Sequence, residues 1–131
     1  IVERLRVAGA LTLSLVAVEQ GAIVGHIAFS PIRIDGREEG WLGLGPLAVR
    51  RDRQRSGIGS ALVREGLAMI EAMGAPGCML LGSPVYYGRF GFAADPALAL
   101  PGFPAHHFQC LVFGGRAVPQ GEVAFHAAFD P

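Results

Sequence analysis

Apolar and polar positions alternate along the first third of the chain. Residues 11–18 alternate apolar with small polar side chains, and a turn at residues 19–21 leads into a second apolar run at residues 22–29. This pattern predicts two strands joined as a hairpin. A third strand is predicted over residues 41–49, where Pro46 indicates a bulge or an edge because proline cannot donate to a strand ladder.

The period of the pattern changes in the middle of the chain. A polar, glycine-bearing loop at residues 50–59 opens a helical pattern that Gly74 and Pro76 end. The apolar residues that recur at helical spacing are Ile58, Leu62, Met69, Ile70 and Met73. A continuous apolar strand follows at residues 78–81, of the type buried on both faces. Strand, loop, helix and strand in this order predict a βαβ unit with a parallel strand pair.

The last third supplies an aromatic stretch at residues 86–92 and two strand candidates, at residues 108–113 and 122–125. An antiparallel front half joined to one βαβ unit and a strand-rich tail predicts an α+β fold (mixed α/β). We expect a single domain over residues 1–131, with a mostly antiparallel sheet and one splayed parallel pair. Residues 1–8 resemble the end of a helix, so we expect that a segment upstream of them is missing.

Composition narrows the classes of function. The formal net charge is zero, with eleven arginines and no lysine, so neither a non-specific nucleic-acid binder nor a lysine-containing phosphate-binding loop is predicted. No apolar stretch approaches the roughly 20 residues of a membrane span. Cys78 and Cys110 lie in apolar runs, which predicts core residues of a reduced, cytoplasmic protein rather than a disulfide.

The four histidines do not form a metal-binding pattern. His106 and His107 are adjacent, so in a strand they would point to opposite faces, and no cysteine or carboxylate lies at ligand spacing. His26 and His126 are isolated along the chain. We therefore predict no metal site.

The loop at residues 50–59 is the most informative segment. Gly57 and Gly59 allow a tight turn and leave the first N–H groups of the following helix uncovered, at the positive end of its dipole. Four arginines could add phosphate-binding guanidinium groups: Arg50, Arg51, Arg53 and Arg55. The alternative is an ordinary glycine loop with solvated arginines. The apolar strand before the loop and the amphipathic helix after it favour a diphosphate site.

The segment LAVRRDRQRSGIGSAL, residues 47–62, resembles the acetyl-CoA-binding motif Q/R-x-x-G-x-G/A of the GNAT superfamily of N-acetyltransferases. The segment YGRFGF, residues 87–92, resembles the second signature of that family, a tyrosine followed shortly by Gly-Phe. The two motifs stand in the family's order, with one helix and one strand between them. The resemblance extends from about residue 11 onward.

The resemblance implies transfer of an acetyl group from acetyl-CoA to a primary amine, by direct attack and without a metal or a covalent enzyme intermediate. The implied coenzyme-binding positions are Leu47, Ala48 and Val49 on the strand and Gln54, Arg55, Ser56, Gly57, Ile58 and Gly59 in the loop. The backbone of Leu47 and Val49 would pair with the pantetheine arm, and the Val49 N–H would hold the oxyanion. Tyr87 would protonate the departing thiolate, whereas a merely buried tyrosine is the alternative.

Two departures from the family leave questions open. Many GNAT enzymes carry a glutamate where this chain has Gly43, so a water chain, His26 or Glu39 could act as the base. The family normally begins with a strand and a helix that help to shape the acceptor pocket, and we expect at most the tail of that region here. A non-catalytic acyl-CoA-binding or sensor domain is the first alternative function. A dimerisation module is the second, and the apolar tail also allows a homodimer of the enzyme.

Overall fold

The computed structural model describes residues 11–126 and 129, and the helix end predicted at residues 1–8 lies outside this part of the chain. Two strands, β1 (Leu13–Glu19) and β2 (Ala22–Pro31), form the predicted antiparallel hairpin. Gln20 and Gly21 connect them with φ angles of 50° and 80°. Two consecutive positive φ angles fit a type I′ turn, whose twist matches that of the flanking strands.

The further elements are β3 (Arg33–Ile34), β4 (Leu42–Val49), α1 (Ile58–Ala72), β5 (Gly77–Leu81), α2 (Pro84–Gly88), β6 (Leu98–Ala99), β7 (Phe108–Val112) and β8 (Gly121–Ala124). Five strands form a sheet in the order β1-β2-β4-β5-β7, in which the β4–β5 pair is parallel and the other neighbours are antiparallel. Because α1 connects β4 to β5, the predicted βαβ unit and the α+β fold are confirmed.

Helix α1 covers one face of this sheet, against β1, β2 and β4. Its buried residues are Leu62, Val63, Gly66, Leu67 and Ile70. Met69 and Met73, which share the helical spacing, are 37% and 58% exposed. Gly66 lies in the buried stripe, where an added Cβ would lie 2.5 Å from the ring of Phe29 on β2.

A second core lies on the opposite face of the sheet. Cys78 and Leu80 of β5 belong to the core under α1, whereas Met79 between them belongs to the other core, as strand alternation requires. The second core is covered by a small sheet with the strand order β3-β8-β6. Only β8 was predicted, since β3 and β6 are two residues long and show no alternation.

Candidate active site

Strands β4 and β5 separate soon after they begin. They pair only at Leu42–Cys78 and Gly43–Met79, so the rest of β4 has no neighbour on its β5 side among the described residues. The register between β2 and β4 jumps by one residue at the same level, because Gly45 and Pro46 together face one residue of β2. The predicted bulge at Pro46 and the predicted splay are therefore both present.

The separation of β4 and β5 leaves a cleft between them. The free edge of β4 presents the backbone N–H and C=O groups of two residues to this cleft. The N–H of Arg50 donates to Val24 O on β2 at 2.7 Å. Because successive peptide groups of a strand point to opposite sides, those of Ala48 point to β2, and those of Leu47 and Val49 point into the splay. In agreement, the Gln54 side chain reaches Val49 O from the cleft side, with Nε2 donating at 3.1 Å.

Helix α1 begins at the mouth of this cleft without a side-chain cap. Gly57 is the N-cap residue with φ 89°, and the first turn contains no acidic residue. The N–H of Ala61 bonds to Gly57 O at 3.0 Å, so the N–H groups of the three residues before it have no acceptor within the helix. Uncapped N–H groups at the positive end of a 15-residue helix are suited to bind an anion.

Two of the four loop arginines are engaged in ion pairs. Arg53 donates to both carboxylate oxygens of Glu19, at 2.8 and 2.7 Å. Arg50 donates to both oxygens of Asp52, at 2.6 and 3.0 Å, and this hydrogen bonding lowers the pKa of Asp52. These pairs brace the loop, and a phosphate contact by Arg50 or Arg53 stays a prediction. Arg51 and Arg55 have no ion pair within the described chain.

The tyrosines of α2 lie on the other side of the cleft. The Tyr87 ring packs over Gly82, which follows β5, and makes an edge contact with Phe92 at a centroid distance of 6.0 Å. Burial raises the pKa of Tyr87, so its hydroxyl is protonated at neutral pH. The Tyr86 hydroxyl instead reaches across to α1, where it would lie 3.0 Å from a Cβ on Gly59.

The cysteines are placed as core residues, as predicted. Both are free and buried. Burial raises the pKa of Cys110 to about 11 and that of Cys78 further. A protonated thiol is a poor nucleophile, so neither residue is suited to covalent catalysis.

One candidate base, His26, lies on β2 directly opposite Ala48 of β4. Gly25 on β2 faces α1, so the next residue, His26, faces the opposite side of the sheet, where its Nε2 lies 2.8 Å from Ser14 Oγ. Glu39 is exposed in the loop before β4. The position of Gly43 is closed, because a Cβ there would lie 2.6 Å from the Phe125 ring.

A cavity of about 890 Å³ opens beside the splay, on the face that carries the small sheet. It reaches the bulge of β4 at Leu44 and Gly45 and the end of β5 at Leu81. Phe125 and Phe129 form part of its wall. No local sequence pattern predicts this cavity, because the chain segments that line it are far apart in sequence.

Two further properties of the described residues bear on function. No group of three or more histidine, cysteine or acidic residues among them is arranged to hold a metal ion. None of the helices in residues 11–126 has the length and apolar character needed to cross a membrane.

Comparison with known proteins identifies relatives of this chain. The sequence model of the acetyltransferase (GNAT) domain matches residues 11–94. An uncharacterized N-acetyltransferase of Escherichia coli K12, YhbS, is 41% identical over 93 residues, which are 70% of this chain and 56% of YhbS. The chain thus spans little more than half the length of this curated relative.

Solved structures show the same likeness. A GNAT family acetyltransferase from Brucella melitensis, crystallised with acetyl-CoA, has a TM-score of 0.86 and 56% identity, over 98% of this chain and 75% of the other. Escherichia coli YhbS in complex with CoA has a TM-score of 0.90 and 34% identity, over 99% of this chain and 76% of the other. On the family match and these similarities, the chain belongs to the GNAT family of acetyltransferases.

Proposed function

We propose that this chain binds acetyl-CoA and transfers its acetyl group to a primary amine. The observation that carries the proposal is the free edge of β4, where the peptide groups of Leu47 and Val49 face a cleft that opens beside the uncapped start of α1. An extended chain with amide groups can pair with that edge as a strand would. A diphosphate can bind at the helix N-terminus. Acetyl-CoA carries both groups.

The loop at residues 54–59 would hold the pyrophosphate through backbone N–H groups. The pantetheine arm would pair with Leu47 and Val49 in the place that β5 leaves vacant. Gln54 now donates to Val49 O, so this side chain would move aside or bond to the arm itself. The crystal structures of the Brucella melitensis and Escherichia coli relatives with acetyl-CoA and CoA support this assignment.

The chemistry would be direct attack of a neutral amine on the thioester carbonyl. A C–N bond forms, the C–S bond breaks, the amine loses a proton to a base, and the sulfur gains one. Tyr87 is suited to supply the proton to the sulfur, since burial raises its pKa and keeps its hydroxyl protonated. The N–H of Leu47 or Val49 would stabilise the oxyanion, and Leu47 is the one next to the bulge and the cavity.

The amine proton would leave through water in the cavity. Neither His26 nor Glu39 lines the cavity, and Phe125 occupies the space beside Gly43. This closed position also favours the second candidate function, an acyl-CoA sensor without turnover. A homodimer and a cytoplasmic location stay predictions.

A thiol-release assay tests the proposal. The full-length protein is mixed with acetyl-CoA and a pool of primary amines, and free CoA is measured with a thiol reagent. Amine-dependent release of CoA supports transfer. Binding of acetyl-CoA without release from any pool supports the sensor, and absence of binding contradicts both.

A further inference from the structure

Strand β7 carries a polar side chain in the core. Gln109 is only 2% exposed, although its neighbours Phe108 and Cys110 are core residues of the second cluster, on the face opposite α1. Gln109 pairs with Leu80 of β5, which belongs to the core under α1, so the Gln109 side chain projects to that side of the sheet. A buried amide is costly unless it is hydrogen-bonded, so its partner indicates what the residue does.

The partner of Gln109 is the residue that follows β5. Gln109 Nε2 donates to Gly82 O at 3.1 Å, and the N–H of Gly82 donates to His107 O at 2.9 Å. The paired residues of β5 and β7 end at Leu81 and Phe108, so Gly82 lies just beyond the ladder. Both polar backbone groups of Gly82 are thus fixed, and the side chain of Gln109 supplies one of the two contacts.

The ring of Tyr87 lies on Gly82. A Cβ on Gly82 would lie 2.6 Å from Tyr87 Cε2 and 3.0 Å from Tyr87 Cδ2, so the ring packs directly on the backbone. The backbone of Tyr87 depends on the same segment, because its N–H donates to Ser83 O at 3.0 Å. A shift of Gly82 would therefore move both the ring and the backbone of Tyr87.

The other contacts of the Tyr87 ring are aromatic. Tyr86 and Phe92 meet it at centroid distances of 4.9 and 6.0 Å, both in edge geometry. Aromatic pairs are favourable over a range of centroid distances, whereas a hydrogen bond weakens steeply when its length or angle changes. The bond from Gln109 to Gly82 is therefore the more stringent restraint on where the ring lies.

We propose that Gln109 is a positioning residue for acetyl transfer. Its amide fixes Gly82, and Gly82 in turn fixes the Tyr87 hydroxyl at the coenzyme sulfur. The inference rests on the proposed role of Tyr87 as the proton donor. A misplacement of about 1 Å can cost about 100-fold in rate. Loss of the bond should act on kcat rather than on coenzyme binding, because the proposed binding groups lie on β4 and at the start of α1.

The variant Gln109→Met keeps a side chain of similar size and removes the donor. We expect it to lower kcat about tenfold, measured with an amine that the thiol-release assay identifies, while the KM for acetyl-CoA stays nearly constant. Cys110→Ala is the matched control, because Cys110 is the next residue of β7 and belongs to the opposite core. It should lower the melting temperature and leave kcat nearly unchanged. An equal loss of kcat in both variants would overturn the proposal.

A kinetic cycle with Tyr87→Phe shows whether Gln109 acts through the tyrosine. Once the hydroxyl is absent, its position no longer matters, so Gln109→Met should lower the kcat of Tyr87→Phe by less than about twofold. The same loss factor in both backgrounds would overturn the proposal and leave acetyl transfer standing. Full kcat in Tyr87→Phe would instead contradict the proton donor, and the inference with it.

An alkaline titration tests the positioning without any turnover. Tyrosinate is followed by its ultraviolet absorbance, and subtraction of the Tyr87→Phe curve isolates Tyr87. Burial raises the pKa of Tyr87, so a ring that leaves its place on Gly82 should lose its proton at a lower pH. We expect the midpoint to fall in Gln109→Met and to stay in Cys110→Ala. An unchanged midpoint in Gln109→Met would overturn the proposal, whether or not the protein transfers acetyl groups.

Discussion

The ring of Phe125 occupies the space into which a side chain at position 43 would project. A Cβ on Gly43 would lie 2.6 Å from Phe125 Cε1 and 2.9 Å from Ile32 Cγ2. The tail of the chain can therefore pack directly on β4 and form a wall of the cavity. The position at which many GNAT enzymes carry a glutamate is closed in this chain.

Gly43→Ala is expected to lower the free energy of unfolding by about 1–3 kcal/mol, because the added methyl group overpacks the contact with Phe125. Urea unfolding measures this change. In the double variant Gly43→Ala/Phe125→Ala the cost of the first substitution should shrink, since the ring is gone. If the free-energy costs of Gly43→Ala and Phe125→Ala simply add in the double variant, the contact between the two residues is contradicted.

Tyr87→Phe is expected to lower kcat about 10- to 100-fold while the KM for acetyl-CoA stays nearly constant, because it removes a proton donor and keeps the ring. Steady-state kinetics measure both values. Tyr86→Phe is the comparison variant, since its hydroxyl lies at Gly59, at the proposed diphosphate end of the site, and its loss should act on the KM for acetyl-CoA rather than on kcat. A larger loss of kcat from Tyr86→Phe than from Tyr87→Phe would indicate that Tyr86, and not Tyr87, supplies the proton.

Gly66→Ala is expected to destabilise the protein by about 1–2 kcal/mol, although alanine is the better helix former. A Cβ on Gly66 would lie 2.5 Å from Phe29 Cε2, and the Phe29 ring is fully buried and cannot move aside freely. Thermal and urea unfolding measure the effect. Stabilisation by this substitution would mean that the helix does not lie this close to β2.

Stability is expected to fall as the pH rises from about 9 to about 11. Burial raises the pKa of Cys110 from 9.0 to about 11, so in this window the unfolded thiol loses its proton while the folded thiol keeps it. The unfolded state then binds fewer protons, and the free energy of unfolding decreases, by about 1–2 kcal/mol. Urea unfolding at pH 8 and 10.5 measures the slope. Cys110→Ala should reduce the slope without abolishing it, because burial also raises the pKa of Cys78. An unchanged slope would contradict the assignment.

The sequence predicted the elements that have a strong local pattern. Alternation located β1 and β2, helical spacing located α1, and Pro46 located the bulge. These features depend on neighbouring residues, so a single sequence contains the information. The roles of the loop at residues 54–59 and of Tyr87 were predicted from spacing that resembles the GNAT motifs, and they stay predictions.

The contacts that the sequence could not predict join distant segments. Arg53 pairs with Glu19 across 34 residues, and Asp35 meets Glu122 across 87 residues. The strands β3 and β6 are too short for alternation, and Phe125 reaches Gly43 from the tail. No local pattern encodes such contacts, and the cavity is built from them.

The most direct test of the proposed diphosphate site is a calorimetric titration of the full-length protein and its Gly59→Asp variant with acetyl-CoA. The added carboxylate lies at the start of α1, where it would repel a diphosphate, whereas the family motif admits only glycine or alanine. A Cβ at this position would lie 3.0 Å from the Tyr86 hydroxyl, so the melting temperature of the variant is measured first. Gly88→Ala is the control, because a Cβ there meets nothing within 4 Å. We predict that wild type and Gly88→Ala bind and that folded Gly59→Asp binds at least about tenfold more weakly. Equal binding by all three proteins would contradict the proposed diphosphate site.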